Sequence, residues 1–443
     1  MDHGAGVPAR VEAALTARQP TRMVPDLERM RRLMDLLGSP QRAYPSIHVT
    51  GTNGKTSTAR VVDALLGELG LRTGRYTSPH LESVTERICI DGQPLSGEAF
   101  ARAYDDVAPY AGLVDAHVGE AVTYFELLTA MAFAAFADAP VDVAVLEVGM
   151  GGEWDATNVV HAPVVVVTPI ALDHPELGAT VADKAREKAG LVHEGALVLL
   201  AHQPLEAAQV LLGRAADVRA TVAREGLEFG VRTRRVAVGG QQLSLRGLTG
   251  GYDDVFLPLH GAHQAQNAAL ALAAVEAFVG GGRQELDGEV VRAAFARVTS
   301  PGRLEVVRSS PTVLLDAAHN PAGAGALAAA LSEAFAFTRL VGVVAMLADK
   351  DVRGVLEALE PVLAEVVITQ SDSPRALSAD ALAAVAVEVF RADRVEVAPR
   401  LDDAIEAAVS LAEEEGLGGT GVLVTGSVVT VGAARRLLHR AAR

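Results

Sequence analysis

The sequence predicts an α/β protein in two units: a P-loop-type doubly wound ATPase domain, then a smaller Rossmann-like carboxy-terminal domain, with the active site in the cleft between them. Three observations carry this expectation. The stretch GTNGKTST, Gly51 to Thr58, lies between an extended apolar run, Ser46 to Thr50, and a helix-patterned one, Ala59 to Leu69. Apolar runs of strand length alternate with helical patterns over most of the chain, as in a parallel sheet covered by helices. Ser300-Pro301-Gly302-Arg303 then breaks the helical pattern and the alternation starts again, so the units are expected at 1–299 and 300–443.

The glycine-bearing stretch reads as a phosphate cradle. Gly51 and Gly54 tolerate dihedrals and close approaches that a side chain forbids, so successive backbone N–H groups can face one anion. Lys55 adds a positive charge. The following helix, apolar at Val61, Val62, Leu65, Leu66 and Leu69, points its positive end at the same anion. Only Thr52 and Asn53 separate the two glycines, whereas the usual Walker loop has about four residues there, so the spacing is a variant.

Composition bounds what the cradle serves. Half of the residues are hydrophobic and 21% are charged, a globular balance. No apolar run reaches the roughly 18 residues a membrane span needs. The amino terminus, MDHGAGVPAR, lacks a basic-then-apolar leader, and the single cysteine, Cys89, leaves no intramolecular disulfide, so a cytoplasmic location is expected. A formal charge of −16 speaks against a nucleic-acid partner. It also means that an anionic nucleotide needs local cations: lysine, arginine and bound magnesium.

Taken in order, residues 9 to 38 read as helices, with Leu27, Met30, Leu33, Met34 and Leu37 on one face and Gly38 as a stop. Beyond the cradle, a strand at Thr73 to Tyr76 leads into the loop Ser78-Pro79-His80. Arg87 to Asp91 alternates toward an Asp91-Gly92 turn, with Cys89 as a half-buried strand residue and not a nucleophile. Residues 123 to 137 are helical. Asp142 to Val148 and Ala162 to Thr168 are strands of the doubly buried kind, the first ending at Glu147 and the second just before Leu172-Asp173-His174. Gly51, Glu147 and His174 thus sit at carboxyl ends of strands, where ligands of doubly wound sheets bind. A carboxylate there is costly unless paired or metal-bound, so a hydroxyl, Glu147 and His174 make a reasonable magnesium site; the alternative is an ion-paired Glu147 and a His174 that caps a loop.

In KAREKAGLV, Lys184 and Lys188 have an ordinary explanation as surface lysines of a helix. Residues 195 to 260 suggest a small antiparallel patch, followed by an alanine-rich helix from about Gln264 with Asn267 near its start. In the second unit, TVLLDAAHNP places Asp316 and His319 at a strand end, with an Asn-Pro turn and a local aspartate cap as the alternative. Arg339 to Met346, Glu365 to Thr369, Val395 to Ala398 and Thr420 to Thr425 complete the strands.

The ordered pieces IHVTGTNGKTST, GRYTSPHLESVTERI, TYFE, VLEVGMGGEWDATNV, LDH, EKAG, HQAQNAA, PGRLEV, LLDAAHNP, LADKD and VTGS resemble the folylpolyglutamate synthase and dihydrofolate synthase family, relatives of the Mur ligases, over nearly the whole chain. The resemblance implies an ATP-dependent carbon–nitrogen ligase that phosphorylates a substrate carboxylate and lets the amine of L-glutamate displace the phosphate. Its substrates would be dihydropteroate or a reduced folate, with no nucleic acid and no membrane, in a monomer. Carried onto matching positions, Thr52, Asn53, Gly54 and Lys55 would hold the triphosphate, and Asn267, Arg303 and Asp316 the rest of ATP, with His319 beside them as a catalytic group. Ser78, Glu147 and His174 would bind magnesium, two ions in all, and catalytic Lys188 matches a lysine that is carbamylated in the family. Pteroate would meet Thr123, Tyr124, Phe125 and Glu126, then Trp154, Asp155 and Ala156, and the loop before Leu27.

Three departures bear on this. Thr56 and Ser57 follow the lysine where the family usually has glycine, and either hydroxyl could meet magnesium. Glu153 stands where a basic or neutral residue is commoner. LDHPELGAT is one residue short, which could shift His174 relative to Lys188. A Mur-type peptide ligase with a non-folate substrate and a non-catalytic nucleotide switch are the competing readings. TYFE, DAAHNP and the lack of an added domain before the cradle weigh against the first. The presence of Glu147, His174, Lys188 and Asp316 weighs against the second.

Overall fold

The computed structural model describes residues 7–20, 24–413 and 419–441. Its first unit is built on an eight-stranded sheet: β1 Ser46–Thr50, β2 Thr73–Tyr76, β3 Ile88–Ile90, β4 Gln93–Pro94, β5 Val143–Glu147, β6 Val164–Val167, β7 Leu197–Leu200 and β8 Thr221–Arg224. The order is β4-β3-β2-β5-β1-β6-β7-β8. The six strands from β2 to β8 in that order run parallel, and the β3–β4 hairpin adds antiparallel at one edge. The chain leaves β1 toward one side of the sheet and later returns to its other side through β6. That divergence opens a crevice beyond β1, β5 and β6.

Runs such as VAVLE in β5 and VVVV in β6 are buried throughout, because helices cover both faces. On one face the helices Lys55–Glu68 and Ala262–Gly280 pack against Ile47, Val49, Val145 and Val166. On the other, Glu28–Leu36, Gly97–Val118 and Tyr124–Asp138 cover Ala144 and Leu146, while Val181–Ala189 and Leu205–Asp217 cover Val165 and Val167. The expected antiparallel patch is a three-stranded sheet, β9 Gly230–Ala237, β10 Gly240–Arg246 and β11 Gly251–Leu257, whose Leu243, Leu245 and Tyr252 join the first of these cores.

The second unit carries β12 Glu305–Ser309, β13 Thr312–Leu315, β14 Arg339–Val344, β15 Glu365–Ile368, β16 Val395–Val397 and β17 Thr420–Thr425, in the order β12-β13-β17-β14-β15-β16. All but β12 are parallel. Helices Pro321–Ala334 and Val352–Leu359 cover one face, and Leu401–Glu413 and Val428–Ala441 the other.

Two expectations need correction. Cys89 is fully buried, not half-buried: its Sγ lies 3.1 Å from the Arg75 Nη2 donor, beside the buried Arg75–Asp63 ion pair. Lys184 and Lys188 are buried as well, because their helix lays them under the loop that follows β6. Among the described residues no helix is long and apolar enough to cross a membrane.

Candidate active site

The glycine-bearing loop that begins at Gly51 follows β1 and is pressed against the end of β6. Gly51 has φ +138°, and a Cβ there would stand 1.9 Å from Thr168 Oγ1 and 2.8 Å from the Thr168 carbonyl oxygen. Gly54, φ +90°, begins the helix Lys55–Glu68, and a Cβ would meet Asn267 Oδ1 at 2.5 Å. Thr52 pins the loop to its neighbour: its Oγ1 donates to Ala171 O at 3.1 Å, and Ala171 N lies 3.0 Å from the same hydroxyl. Lys55 Nζ folds back to Gly51 O and Thr52 O, at 3.2 and 3.1 Å. Burial lowers its pKa, against the opposing fields of Glu147 and Asp173.

At the end of β5 the Glu147 carboxylate is 1% exposed. Thr56 Oγ1 donates to it at 2.8 and 3.0 Å, and the Ser78 N–H at 3.3 Å. Burial raises its pKa, while Lys55 and Thr56 pull the other way. Ser57 turns away, to Ser300 Oγ at 3.1 Å, so of the two hydroxyls only Thr56 faces the carboxylate. His174 follows β6 in a left-handed conformation, φ 49°, and burial lowers its imidazole to a pKa of about 4, leaving it neutral. It shares a pocket with Lys55, Lys184 and Lys188 despite the shortened loop. Lys184 Nζ donates to His174 O and Gly178 O, each at 2.5 Å. Lys188 is 5% exposed, and burial, helped by the charge of Lys55, lowers its amine to about 7.

Among the described residues no cluster of three or more His, Cys, Asp and Glu side chains forms a metal cage. Magnesium does not require one, since it keeps several waters and takes one or two protein oxygens together with phosphate. A buried carboxylate flanked by the Thr56 hydroxyl and Ser78 fits that donor set.

The second unit closes the cleft from the other side. Thr52 to Ser57, Ser78, Glu147, Asp173, His174, Asn267, Arg303, Asp316 and His319 line one cavity. Asp316 accepts from Leu304 N and Ala318 N, both at 2.8 Å, and so holds the turn that carries Arg303; burial raises its pKa. His319 Nδ1 donates to Ala317 O at 2.9 Å, which leaves Nε2 facing Asp173 Oδ2 at 3.7 Å.

Three residues to which sequence reasoning gave no role join the units. Asp173 Oδ1 meets Lys350 Nζ at 2.6 Å, both side chains 7% exposed. Burial opposes the Asp173 charge, but His319, His174 and Lys350 outweigh it and hold the carboxyl well below the usual range. Asn320 exchanges amide hydrogen bonds with Asn53, at 2.9 and 3.2 Å. Their signals were present as LDH, LADKD and DAAHNP, but nothing local shows what they face.

The remaining expected residues stand outside this cavity. Thr123 and Glu126 form a capping box on the helix Tyr124–Asp138, and Glu126 also receives buried Arg29 at 3.0 Å. Tyr124 lies under the Arg87 guanidinium, 5.4 Å from its ring centre. Phe125 sits against Gly149, where a Cβ would be 2.5 Å from its ring. Asp155 accepts from Gly149 N and Met150 N at 2.9 and 3.0 Å and from Thr157 Oγ1 at 2.5 Å, so it organises the turn after β5. Trp154 is 45% exposed and Ala156 buried. Residues 21–23, part of the loop before Leu27, lie outside the described residues.

Comparison with known proteins agrees with this geometry. The Mur ligase middle domain matches residues 49–275 and the Mur ligase glutamate ligase domain residues 302–428. The dihydrofolate synthase/folylpolyglutamate synthase of Mycobacterium tuberculosis is 55% identical, covering 97% of this chain and 94% of that protein. The enzyme of the same name from Escherichia coli is 34% identical over 80% of each chain. Among solved structures, the M. tuberculosis folylpolyglutamate synthase complexed with ADP superposes with a TM-score of 0.94 at 55% identity, over 97% of both chains. E. coli FolC in complex with DHPP and ADP superposes with a TM-score of 0.87 at 29% identity, over 100% of both. The chain therefore belongs to the dihydrofolate synthase/folylpolyglutamate synthase family, ATP-dependent ligases of the Mur ligase fold.

Proposed function

We propose that the chain joins L-glutamate to the carboxylate of dihydropteroate, of a reduced folate, or of both, through an acyl phosphate made from ATP. The observation that carries the reading is the single cavity in which the phosphate loop, buried Glu147 and the Arg303–His319 edge of the second sheet face one another. A carboxylate is a poor electrophile until one oxygen becomes a good leaving group. Its oxygen attacks the γ-phosphorus and the bond to ADP breaks; the glutamate amine then forms the C–N bond as the C–O bond to phosphate breaks. Such transfer needs positioned charge more than a covalent catalyst, which accords with Cys89 being buried, its thiol pKa raised by that burial.

In this reading Thr52, Asn53, Gly54 and Lys55 hold the triphosphate, and Asn267, Arg303 and Asp316 its nucleoside side. His319, aimed across the cleft at Asp173, keeps the second unit in place over the reacting groups. Ser78, Glu147 and His174, with Thr56, are the residues to hold magnesium, which when bound neutralises the charge of the transferring phosphoryl group. Neutral His174 suits that set. Lys188, with its lowered amine, is the candidate for carbamylation, which would replace a cation by an anion and supply a ligand for a second ion.

For the pteroate, Tyr124, Phe125 and Trp154 offer aromatic faces, while Thr123, Glu126, Asp155 and Ala156 fix the two segments that present them. Every group named belongs to one copy of the chain, so the reading requires only a monomer, in the cytoplasm. The units divide at 299/300, where Ser300 contacts Ser57 just before the Gly302 turn. The test is ADP release dependent on ATP, magnesium and glutamate, run with dihydropteroate and with tetrahydrofolate and with product masses recorded. Turnover with one or both substrates names the activity. No glutamate-dependent turnover with either would refute the proposal.

A further inference from the structure

A smaller recess opens off the main cleft at Thr56 and is walled by elements of both units, among them Arg60, His80, Pro301, Arg303 and Val428. Its charge is unbalanced. Arg60, on the helix that begins at Lys55, makes no hydrogen bond or ion pair among the described residues. Arg303 donates only to the neighbouring Gly302 carbonyl, at 3.3 Å. The one carboxylate on the wall, Glu86, is committed to the backbone N–H groups of Leu81, Glu82 and Ser83, at 2.9, 2.9 and 2.8 Å. His80 Nδ1 accepts from Arg87 Nε at 2.9 Å, so the proton of the neutral ring sits on Nε2. The recess therefore offers the Arg60 guanidinium and an imidazole N–H that hold no carboxylate, beside Arg303, whose charge is shared with Asp316 in the main cleft. An unpaired guanidinium in a partly desolvated recess costs free energy that a carboxylate would recover, best in two-pronged geometry. Burial and the neighbouring Arg75 charge lower the Arg60 pKa to about 10, against the weaker fields of Cys89, Glu86 and Asp63.

We infer that this recess receives the carboxylates of the incoming amino acid, with Arg60 as the residue that selects a dicarboxylic acid over its amide. The inference rests on the ligase reading above and deepens it. Opening at Thr56, beside Glu147, the recess delivers an amino acid to the place where the activated carboxyl forms. Arg303 stands on the wall shared with the nucleotide cleft, whereas Arg60 lines the recess and not that cleft, so Arg60 is the position that separates the two functions.

The experiment measures KM for glutamate and for ATP in the wild type, Arg60→Met and Arg60→Lys, with glutamine as competing acceptor. Arg60→Met is expected to raise KM for glutamate by about 10- to 100-fold, the loss of one charge-assisted contact, with KM for ATP within about twofold. Arg60→Lys keeps the charge without the fork and should fall between, and Arg60→Met should lose most of the preference for glutamate over glutamine. A rise confined to KM for ATP would assign Arg60 to phosphate and overturn the inference, as would unchanged values for glutamate. Wild-type protein without glutamate-dependent turnover would instead remove the ligase reading itself. Unchanged KM for ATP in either variant shows that the helix carrying Arg60 still folds.

Discussion

Replacing Lys350 by methionine tests whether the two units are held closed by charge. The Lys350–Asp173 contact is 2.6 Å long and both side chains are 7% exposed, so neither is well solvated in the closed form. Removing one partner of a buried pair costs about 3–5 kcal/mol, mostly as the penalty of an uncompensated charge. Here the lower end applies, because His319 and His174 remain 3.7 and 3.6 Å from the same carboxylate and keep its surroundings polar. The Asn53–Asn320 amide pair and the partly exposed Arg435–Glu82 and Arg234–Glu333 ion pairs remain, but such contacts contribute only about 1 kcal/mol each. Lys350→Met should therefore weaken closure by about 3 kcal/mol, roughly a 150-fold change in the ratio of closed to open forms.

Small-angle scattering without nucleotide reads this directly, as a larger radius of gyration for the variant, which ATP should partly reverse. A double-mutant cycle with Asp173→Asn on kcat/KM should show coupling of about 2 kcal/mol or more. Because the Asp173 carboxyl is held below its usual range, its contribution is fully present above the ordinary carboxylate pKa and is lost only as pH falls beneath it. Equal radii for variant and wild type, with additive kinetics, would refute the reasoning and leave the Arg435–Glu82 and Arg234–Glu333 ion pairs, the Asn53–Asn320 pair and apolar contact as the source of closure.

Gly51→Ala would place a Cβ 1.9 Å from Thr168 Oγ1 and 2.8 Å from a backbone oxygen, at φ +138°. A loss of about 3 kcal/mol or more is expected, visible as a lower unfolding midpoint together with lost ATP binding; a variant with wild-type melting would show that the loop has room to spare. The Lys188 amine, lowered to about 7, is neutral through the range in which an ordinary lysine at 10.5 is charged. Only a neutral amine adds carbon dioxide, so activity should respond to bicarbonate above pH about 7 and not well below it, with a carbamate carbon signal in labelled bicarbonate that Lys188→Ala lacks. A bicarbonate response that persists in Lys188→Ala would break that assignment. The same shift bears on stability: between about 7 and 10.5 the unfolded chain binds a proton that the unmodified folded lysine does not, so stability rises with pH across that window.

What could be read in the sequence and what could not divide along a physical line. The glycine-bearing turn was legible because its geometry is local: Gly51, Gly54 and Lys55 shape the backbone of their own turn and the start of their own helix. Glu147 was legible because a carboxylate ending a run of buried β residues has few alternatives to a ligand or an ion pair. Lys184 and Lys188 looked like surface residues because lysine is seldom buried; only the loop at residues 174–178, folded over their helix, supplies the carbonyls that hold Lys184. Thr56 and Ser57 could not be separated, since neighbours on a helix point about 100° apart and the phase is set by a contact with Ser300, far along the chain. Asp173 is 177 residues from Lys350, and Asn53 is 267 from Asn320. No periodicity registers such separations. The half of the site proposed to hold phosphate is thus written within single turns, while the half that closes over it exists only once two independently patterned sheets meet. It follows that substitutions in the phosphate loop should disturb nucleotide binding in either arrangement of the units, whereas those at Asp173, Asn320 and Lys350 should disturb only the closed one.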